Sequence, residues 1–169
     1  PAVLEPEEEG VHEQVQDEVL EAPKEPAAPK GVVLITGATS GIGKATAAVF
    51  AKAGYALILT GRREDRLREI GQNLGVTFEV PIHTLSFDVR EPMAANQAVE
   101  QIPEEWRNID ILINNAGLAK GLAPIHEGNP EHWNTMIDTN IKGLLYMTRA
   151  ISPFMVKRKH GHIINVCST

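Results

Sequence analysis

The chain has 169 residues, of which 43% are hydrophobic, and a formal net charge of −6. This length and composition predict one globular domain with a buried core. The acidic residues concentrate in residues 1–30, and the remainder is almost neutral with no basic stripe and no long apolar segment, which excludes nucleic-acid binding and a membrane span.

Residues 1–30 form an acidic segment that is rich in proline and glutamate. Such a composition buries too little apolar surface to offset the entropy of ordering, so we expect a mobile tail. The segment lacks the features of a secretory signal or a transit peptide. The chain contains one cysteine, Cys167, which excludes an internal disulfide and favours the cytoplasm.

From residue 31 onward, short apolar runs alternate with longer amphipathic segments, which is the pattern of βαβ units. Strands are predicted at Val32–Thr36, Ala56–Thr60, Ile82–Phe87, Ile109–Asn114 and His162–Val166. Helices are predicted at Ile42–Ala53, Glu64–Leu74, Pro92–Ile102 and Pro130–Lys157, the last with a break near Pro153. The predicted fold over residues 31–169 is therefore α/β, a Rossmann-like doubly wound parallel sheet that is incomplete at about five strands.

The first predicted strand leads directly into a glycine-rich turn, Gly37-Ala38-Thr39-Ser40-Gly41-Ile42-Gly43. Gly37 allows a tight exit from the strand, while Gly41 and Gly43 let the backbone approach a ligand and the next helix pack closely. Amides at the helix start and the hydroxyls of the turn can bind a pyrophosphate. The alternative is a turn that binds nothing. Ala45 stands where an ATP-type phosphate loop has serine or threonine, which disfavours triphosphate hydrolysis.

Two arginines follow the second predicted strand. An acidic residue there would bind the ribose 2′-hydroxyl of NAD, but the chain has Arg62 and Arg63. Guanidinium groups bind a 2′-phosphate through charge-assisted hydrogen bonds, so NADP is the predicted cofactor. The alternative is that both arginines are surface residues that pair with Glu64 or Asp65.

The glycine turn, read as Thr36–Gly43, matches the Thr-Gly-x-x-x-Gly-x-Gly pattern of the short-chain dehydrogenases/reductases, and the chain resembles this family from residue 31 to 169. Four further motifs occur in the family's order: Asp88-Val89, Asn114-Asn115-Ala116-Gly117, Asn140 and Ser168. A closer similarity, to NADP-dependent 3-hydroxy acid dehydrogenases, rests on Gly61-Arg62-Arg63, residues 109–119 and Met136–Asn140. That group includes serine or allo-threonine dehydrogenases and malonic semialdehyde reductases.

The resemblance implies further cofactor contacts. Asp88 and Val89 would contact the adenine, and Asn115, Ala116 and Gly117 would border the adenosine ribose. By itself the second motif is more typical of an ordinary turn than of a binding site, because asparagine and glycine tolerate left-handed backbone conformations.

The resemblance also implies catalytic residues. Asn140 would hold a water relay and Ser168 would orient a small hydroxy acid or carbonyl substrate, although either could be an ordinary helix or turn residue. The family transfers a hydride to or from a nicotinamide, and a Tyr-x-x-x-Lys pair beyond the serine is its acid and base. Tyr55 and Tyr146 are the only tyrosines here, and neither belongs to such a pair.

We therefore expect the chain to be the N-terminal part of an NADP-dependent alcohol or hydroxy acid dehydrogenase, inactive by itself and a homo-oligomer, a tetramer, at full length. The alternatives are a non-catalytic dinucleotide-binding or scaffold protein and an inactive fragment. The histidines have no spacing typical of a metal site, so none is predicted. Cys167 is predicted to be a small packing residue at a buried strand end.

Overall fold

The computed structural model describes residues 28–167; the predictions for residues 1–27 and for Ser168 lie outside this range. Five parallel strands form one sheet in the order β3-β2-β1-β4-β5. The strands are β1 Val32–Ile35, β2 Ala56–Gly61, β3 Ile82–Ser86, β4 Ile109–Asn114 and β5 His162–Asn165. The predicted Rossmann-like doubly wound α/β fold is confirmed. The strand order reverses between β1 and β4, and ligands bind at this point in open α/β sheets.

The central strands are apolar because both faces of the sheet are covered. Along β1, Val33 and Ile35 pack in one core layer, and Leu34 packs in the layer on the opposite face. All three side chains are fully buried. A strand with two buried faces needs a continuous apolar run, which is why this strand was recognisable from sequence.

The described residues contain five α-helices: α1 Gly41–Lys52, α2 Glu64–Phe78, α3 Pro92–Glu100, α4 Pro130–Ile137 and α5 Leu144–Arg158. A π-helical segment, Asp138–Gly143, joins α4 to α5, and short 3₁₀ turns lie at Glu104–Trp106 and Ile125–Glu127. None of the helices within residues 28–167 combines the length and the apolarity that crossing a membrane requires.

The predicted break near Pro153 is wrong, because α5 continues through this residue to Arg158. Pro153 lies on the exposed side of the helix. A carbonyl that loses its helical donor there can bind water, which lowers the cost of a proline inside a helix. The discontinuity in this long helical region is instead the π-helical segment at Asp138–Gly143.

Helix α2 is one turn longer than predicted, since it passes through Gly75 and ends at Phe78. A Cβ atom at Gly75 would make only ordinary contacts, 3.5 Å from Ile82 Cγ1 and from the Val80 carbonyl oxygen. We therefore expect Gly75→Ala to raise the free energy of unfolding by about 0.5–1 kcal/mol, because alanine loses less backbone entropy in a helix. Urea unfolding measures this change.

Gly71, one turn earlier in α2, is the matched control. A Cβ atom there would lie 3.2 Å from methyl carbons of both Ile82 and Thr84, so the helix would have to move slightly away from β3. Gly71→Ala is expected to stabilise less than Gly75→Ala or to destabilise. Equal stabilisation by both variants would contradict the tight packing of Gly71 against β3.

A carboxylate joins three elements at the amino ends of the strands. Asp110, in β4, accepts a hydrogen bond from the Val32 amide of β1 at 2.9 Å and forms an ion pair with Arg158 of α5 at 3.0 Å. Arg158 also donates to the Ile109 carbonyl. These contacts tie β1, β4 and α5 together at the end of the sheet opposite the carboxyl ends of the strands.

Candidate functional site

A cleft of about 930 Å³ lies at the carboxyl ends of the strands, where the strand order reverses. Its volume falls in the range of small-molecule sites, roughly 300–1,000 Å³. The predicted site residues that line it are Gly37, Thr39, Ser40, Gly41, Ile42, Arg62, Arg63, Asp88, Val89, Asn115, Ala116, Gly117 and Asn140. Gly43 lies behind the cleft wall, and Ser168 is outside the described residues.

The glycine turn is shaped by close backbone contacts. Gly37 has a φ of 67°, and a Cβ atom there would lie 2.9 Å from Ala116 Cα. A Cβ atom at Gly43 would overlap the Gly37 carbonyl oxygen and the side-chain nitrogen of Asn115. Both positions therefore require glycine, and Gly43 acts by letting α1 pack against the turn.

Gly41 differs, because a Cβ atom there would meet no protein atom within 4 Å. This glycine lines the cleft and begins α1. The first turn of α1 carries no acidic side chain, and the side chain of the N-cap residue Ser40 does not cap the helix. The helix start thus combines open space with backbone amides that can bind an anion.

Asn115 holds the turn in shape from the end of β4. Its side-chain nitrogen donates to the Thr36 carbonyl at 3.0 Å and to the Gly37 carbonyl at 3.3 Å. In return, the Thr36 hydroxyl accepts hydrogen bonds from the amides of Asn115 and Ala116, both at 2.9 Å. Thr36 was not among the predicted site residues, and only its place at the start of the glycine motif could have indicated this role.

Arg63 is bound to the glycine turn. Its Nη2 atom donates to Thr39 Oγ1 at 2.7 Å and to Ser40 Oγ at 3.2 Å. Glu64 pairs instead with Arg68 at 2.8 Å. In the part of the chain that the structure describes, neither Arg62 nor Arg63 forms the alternative ion pairs with Glu64 or Asp65.

Arg62 reaches into the cleft with its side chain 61% exposed, and its Nη1 atom lies 3.9 Å from Asp88 Oδ2. Asp88 is held much more tightly by Arg90, whose Nη2 atom lies 2.6 Å from the same oxygen. Burial pushes the pKa of Asp88 upward, but hydrogen bonds from Arg90 and the charges of Arg90 and Arg62 outweigh it and hold that pKa below its ordinary value. Asp88 is thus a carboxylate at neutral pH.

Asn140 lies in the π-helical segment, and such segments occur frequently at functional sites. Its side-chain oxygen accepts from the Leu118 amide at 2.9 Å, and its side-chain nitrogen donates to the Leu118 carbonyl at 2.8 Å. Asn140 therefore fixes the main chain just beyond Gly117. The predicted water relay at Asn140 stays a prediction.

The buried residue Asn114 lines the inner part of the cleft. The Asn114 side-chain nitrogen donates to Thr148 Oγ1 and to Asn165 Oδ1, both at 2.9 Å, which links β4 to α5 and to β5.

The prediction that Cys167 is buried is wrong: β5 ends at Asn165, and Cys167 is exposed and lines the cleft. Among residues 28–167, no three His, Cys, Asp or Glu side chains group closely enough to hold a metal ion.

Comparisons with known proteins agree with this arrangement. Over 138 residues the chain is 50% identical to the NADP-dependent 3-hydroxy acid dehydrogenase YdfG of Escherichia coli K12, covering 82% of this chain and 54% of that protein. Sulfoacetaldehyde reductase 2 of Chromohalobacter salexigens is 46% identical over 138 residues, with coverages of 81% and 54%. The chain therefore spans about half the length of the curated relatives it matches.

The solved structures that are similar to this chain also include dehydrogenases. Serine dehydrogenase from Escherichia coli superposes with a TM-score of 0.77 at 50% identity, covering 82% of this chain and 62% of that chain. The closed form of serine dehydrogenase complexed with NADP+ has the same TM-score and identity, with coverages of 82% and 54%. Residues 31–169 match the family described as short chain dehydrogenase. The chain belongs to the short-chain dehydrogenase family.

Proposed function

We propose that the cleft binds NADP and that the protein is an NADP-dependent oxidoreductase acting on a small 3-hydroxy acid or its carbonyl form. The observation that carries this proposal is the pair Arg62 and Arg63, which line the cleft at the end of β2, where an NAD-binding protein would place an acidic residue. The names of the relatives support it, because YdfG is an NADP-dependent 3-hydroxy acid dehydrogenase and a similar solved protein is complexed with NADP+.

The shape of the cleft fits a dinucleotide. The open space beside Gly41 leaves room for a pyrophosphate against the start of α1, with the hydroxyls of Thr39 and Ser40 as additional donors. Arg62 would bind the 2′-phosphate, and Arg63 is placed to bind it while it orients both hydroxyls. Asp88 and Val89 would border the adenine, and Asn115, Ala116 and Gly117 the adenosine ribose.

Bound NADP(H) supplies the hydride or accepts it. The chain's own contribution to that step is positioning, since Asn140 holds the main chain at Leu118 and the side chain of Asn114 links β4 to β5 beside the cleft. We propose Asn140 and Ser168 as catalytic residues, with Ser168 orienting the oxygen of the substrate.

We also propose that the protein is a homo-oligomer, a tetramer, located in the cytoplasm. Large apolar side chains are exposed along the α4–α5 region at four-residue spacing: Ile137, Ile141 and Leu145. Covering such a row by a second copy removes apolar surface from water. Light scattering on the purified protein tests the assembly, and Leu145→Glu is expected to shift it toward smaller species.

The experiment that tests the cofactor is calorimetric titration of the purified protein with NADP+ and with NAD+. We expect NADP+ to bind at least about tenfold more tightly, since each charge-assisted hydrogen bond to the extra phosphate contributes about 1.5–3 kcal/mol. Equal affinities would remove the basis for the proposal. NADP+-linked oxidation of serine and 3-hydroxypropionate by the native protein, followed by NADPH formation, tests the substrate class.

A further inference from the structure

The turn after β3 holds a carboxylate between two arginines, one bound tightly and one loosely. Arg90 Nε lies 3.1 Å from Asp88 Oδ1 and 3.0 Å from Asp88 Oδ2, and Arg90 Nη2 lies 2.6 Å from Oδ2. The Arg90 amide also donates to Asp88 Oδ1 at 3.1 Å. Arg90 therefore binds both carboxylate oxygens, and its positive charge is neutralised in place.

Arg62 approaches the same carboxylate but does not hydrogen-bond to it, because its Nη1 atom is 3.9 Å from Asp88 Oδ2. The Arg62 side chain lines the cleft, whereas Arg90 does not. The two arginines therefore differ in their access to a ligand in the cleft: Arg62 can contact it, whereas Arg90 contacts Asp88 and does not line the cleft.

Removing Arg90 would change the charge that a ligand meets. Asp88 lines the cleft and would become a carboxylate without its close partner. It would repel a phosphate nearby, and it would attract the Arg62 guanidinium, which is already 3.9 Å away and largely exposed. Both effects oppose binding of a 2′-phosphate, and neither opposes binding of a ribose that carries a 2′-hydroxyl, because a hydroxyl can donate a hydrogen bond to a carboxylate.

We propose that Arg90 is a positioning residue for cofactor specificity: by binding Asp88 it leaves Arg62 available for the 2′-phosphate of NADP. This inference rests on the proposed function, because it concerns the same cleft. It adds a residue that does not touch the cofactor and that acts through the charge of Asp88.

The test measures the ratio of NADP+ to NAD+ affinities by calorimetry in four forms of the protein: unmodified, Arg90→Met, Asp88→Asn and the double variant. We expect Arg90→Met to lower the NADP+ preference about tenfold, the effect of losing one charge-assisted hydrogen bond. In the Asp88→Asn background the same substitution should leave the ratio unchanged within about twofold, since the competing carboxylate is gone.

The ratio of NADP+ to NAD+ affinities distinguishes a role of Arg90 in cofactor specificity from a purely structural role. If Arg90 only kept the turn folded, both affinities would fall together and the ratio would not move, which would overturn the inference. A fall in the ratio that persists in the double variant would also overturn it, because Arg90 would then act on the phosphate directly.

Arg68→Met is the matched control. It removes one surface arginine that is paired to a carboxylate, Glu64, and that does not line the cleft, so it should leave the ratio unchanged. Failure of the proposed function looks different from failure of this inference: the unmodified protein would show no preference for NADP+. A clear preference that is unchanged in Arg90→Met would overturn this inference alone.

Discussion

Replacing Arg62 and Arg63 together by methionine is expected to lower the affinity for NADP+ by at least about a hundredfold. Two guanidinium groups each contribute about 1.5–3 kcal/mol to a phosphate when they are well aligned, and about 1.4 kcal/mol corresponds to a factor of ten. Methionine keeps much of the apolar length of the side chain and removes the charge. Calorimetry with NADP+ and NAD+ measures both affinities in the same preparation.

The single variants should differ, and the structure gives the reason. The side chain of Arg62 is 61% exposed and its ion pair with Asp88 is long, at 3.9 Å, so Arg62→Met should weaken NADP+ and spare NAD+. Arg63 binds the hydroxyls of Thr39 and Ser40, so Arg63→Met should loosen the glycine turn and weaken both nucleotides. If Arg63→Met weakened only NADP+, the hydrogen bonds to the turn would have no role in holding the pyrophosphate.

The second large effect is expected at Gly43. Gly43→Ala forces a methyl group against the Gly37 carbonyl and the Asn115 side chain, and the backbone atom cannot turn aside as the end of a flexible side chain could. We expect the free energy of unfolding to fall by about 3 kcal/mol, the upper part of the range for overpacked sites. Affinity for both nucleotides should fall with it, because the turn and the start of α1 move apart. Urea unfolding and calorimetry measure the two quantities.

Gly41→Ala is the control that distinguishes a steric clash with the ligand from a clash within the protein. Its methyl group would meet no protein atom, so the cost to stability is limited to the left-handed conformation, about 1 kcal/mol at a φ of 53°. The same methyl group would stand where the pyrophosphate is proposed to lie, and we expect at least a tenfold loss of affinity for either dinucleotide. Unchanged affinity in this variant would show that the pyrophosphate does not lie against Gly41.

Some of the fold could be predicted because its signals are local. The apolar run of β1 and the glycine turn after it are determined by burial on both faces of a strand and by backbone conformations that favour glycine. The predictions that failed used local rules that the fold overrides. Pro153 sits on a solvated helix face, Gly75 lies inside a helix that packs on β3, and Cys167 follows a strand that ends two residues earlier.

The candidate site, like the fold, could be predicted from the sequence only in part. The residues that line the cleft follow from ordered motifs, so most could be named from sequence. The contacts between them could not, because they join residues far apart in the chain: Asn140 and Leu118 meet only after the sheet has formed, and so do Arg63 and Thr39. Arg90 is two residues from Asp88, yet a sequence does not reveal which of several nearby arginines a carboxylate will bind.

The ion pair between Asp110 and Arg158 lies at the amino ends of the strands, while every residue assigned to nucleotide recognition lies at the carboxyl ends. Cofactor preference can therefore be redesigned around Arg62, Arg63 and Arg90 without disturbing the contacts that anchor α5 to the sheet. Because substitutions at distant sites have nearly additive effects, we expect changes at these arginines to leave the stabilisation from the Asp110–Arg158 pair unaltered.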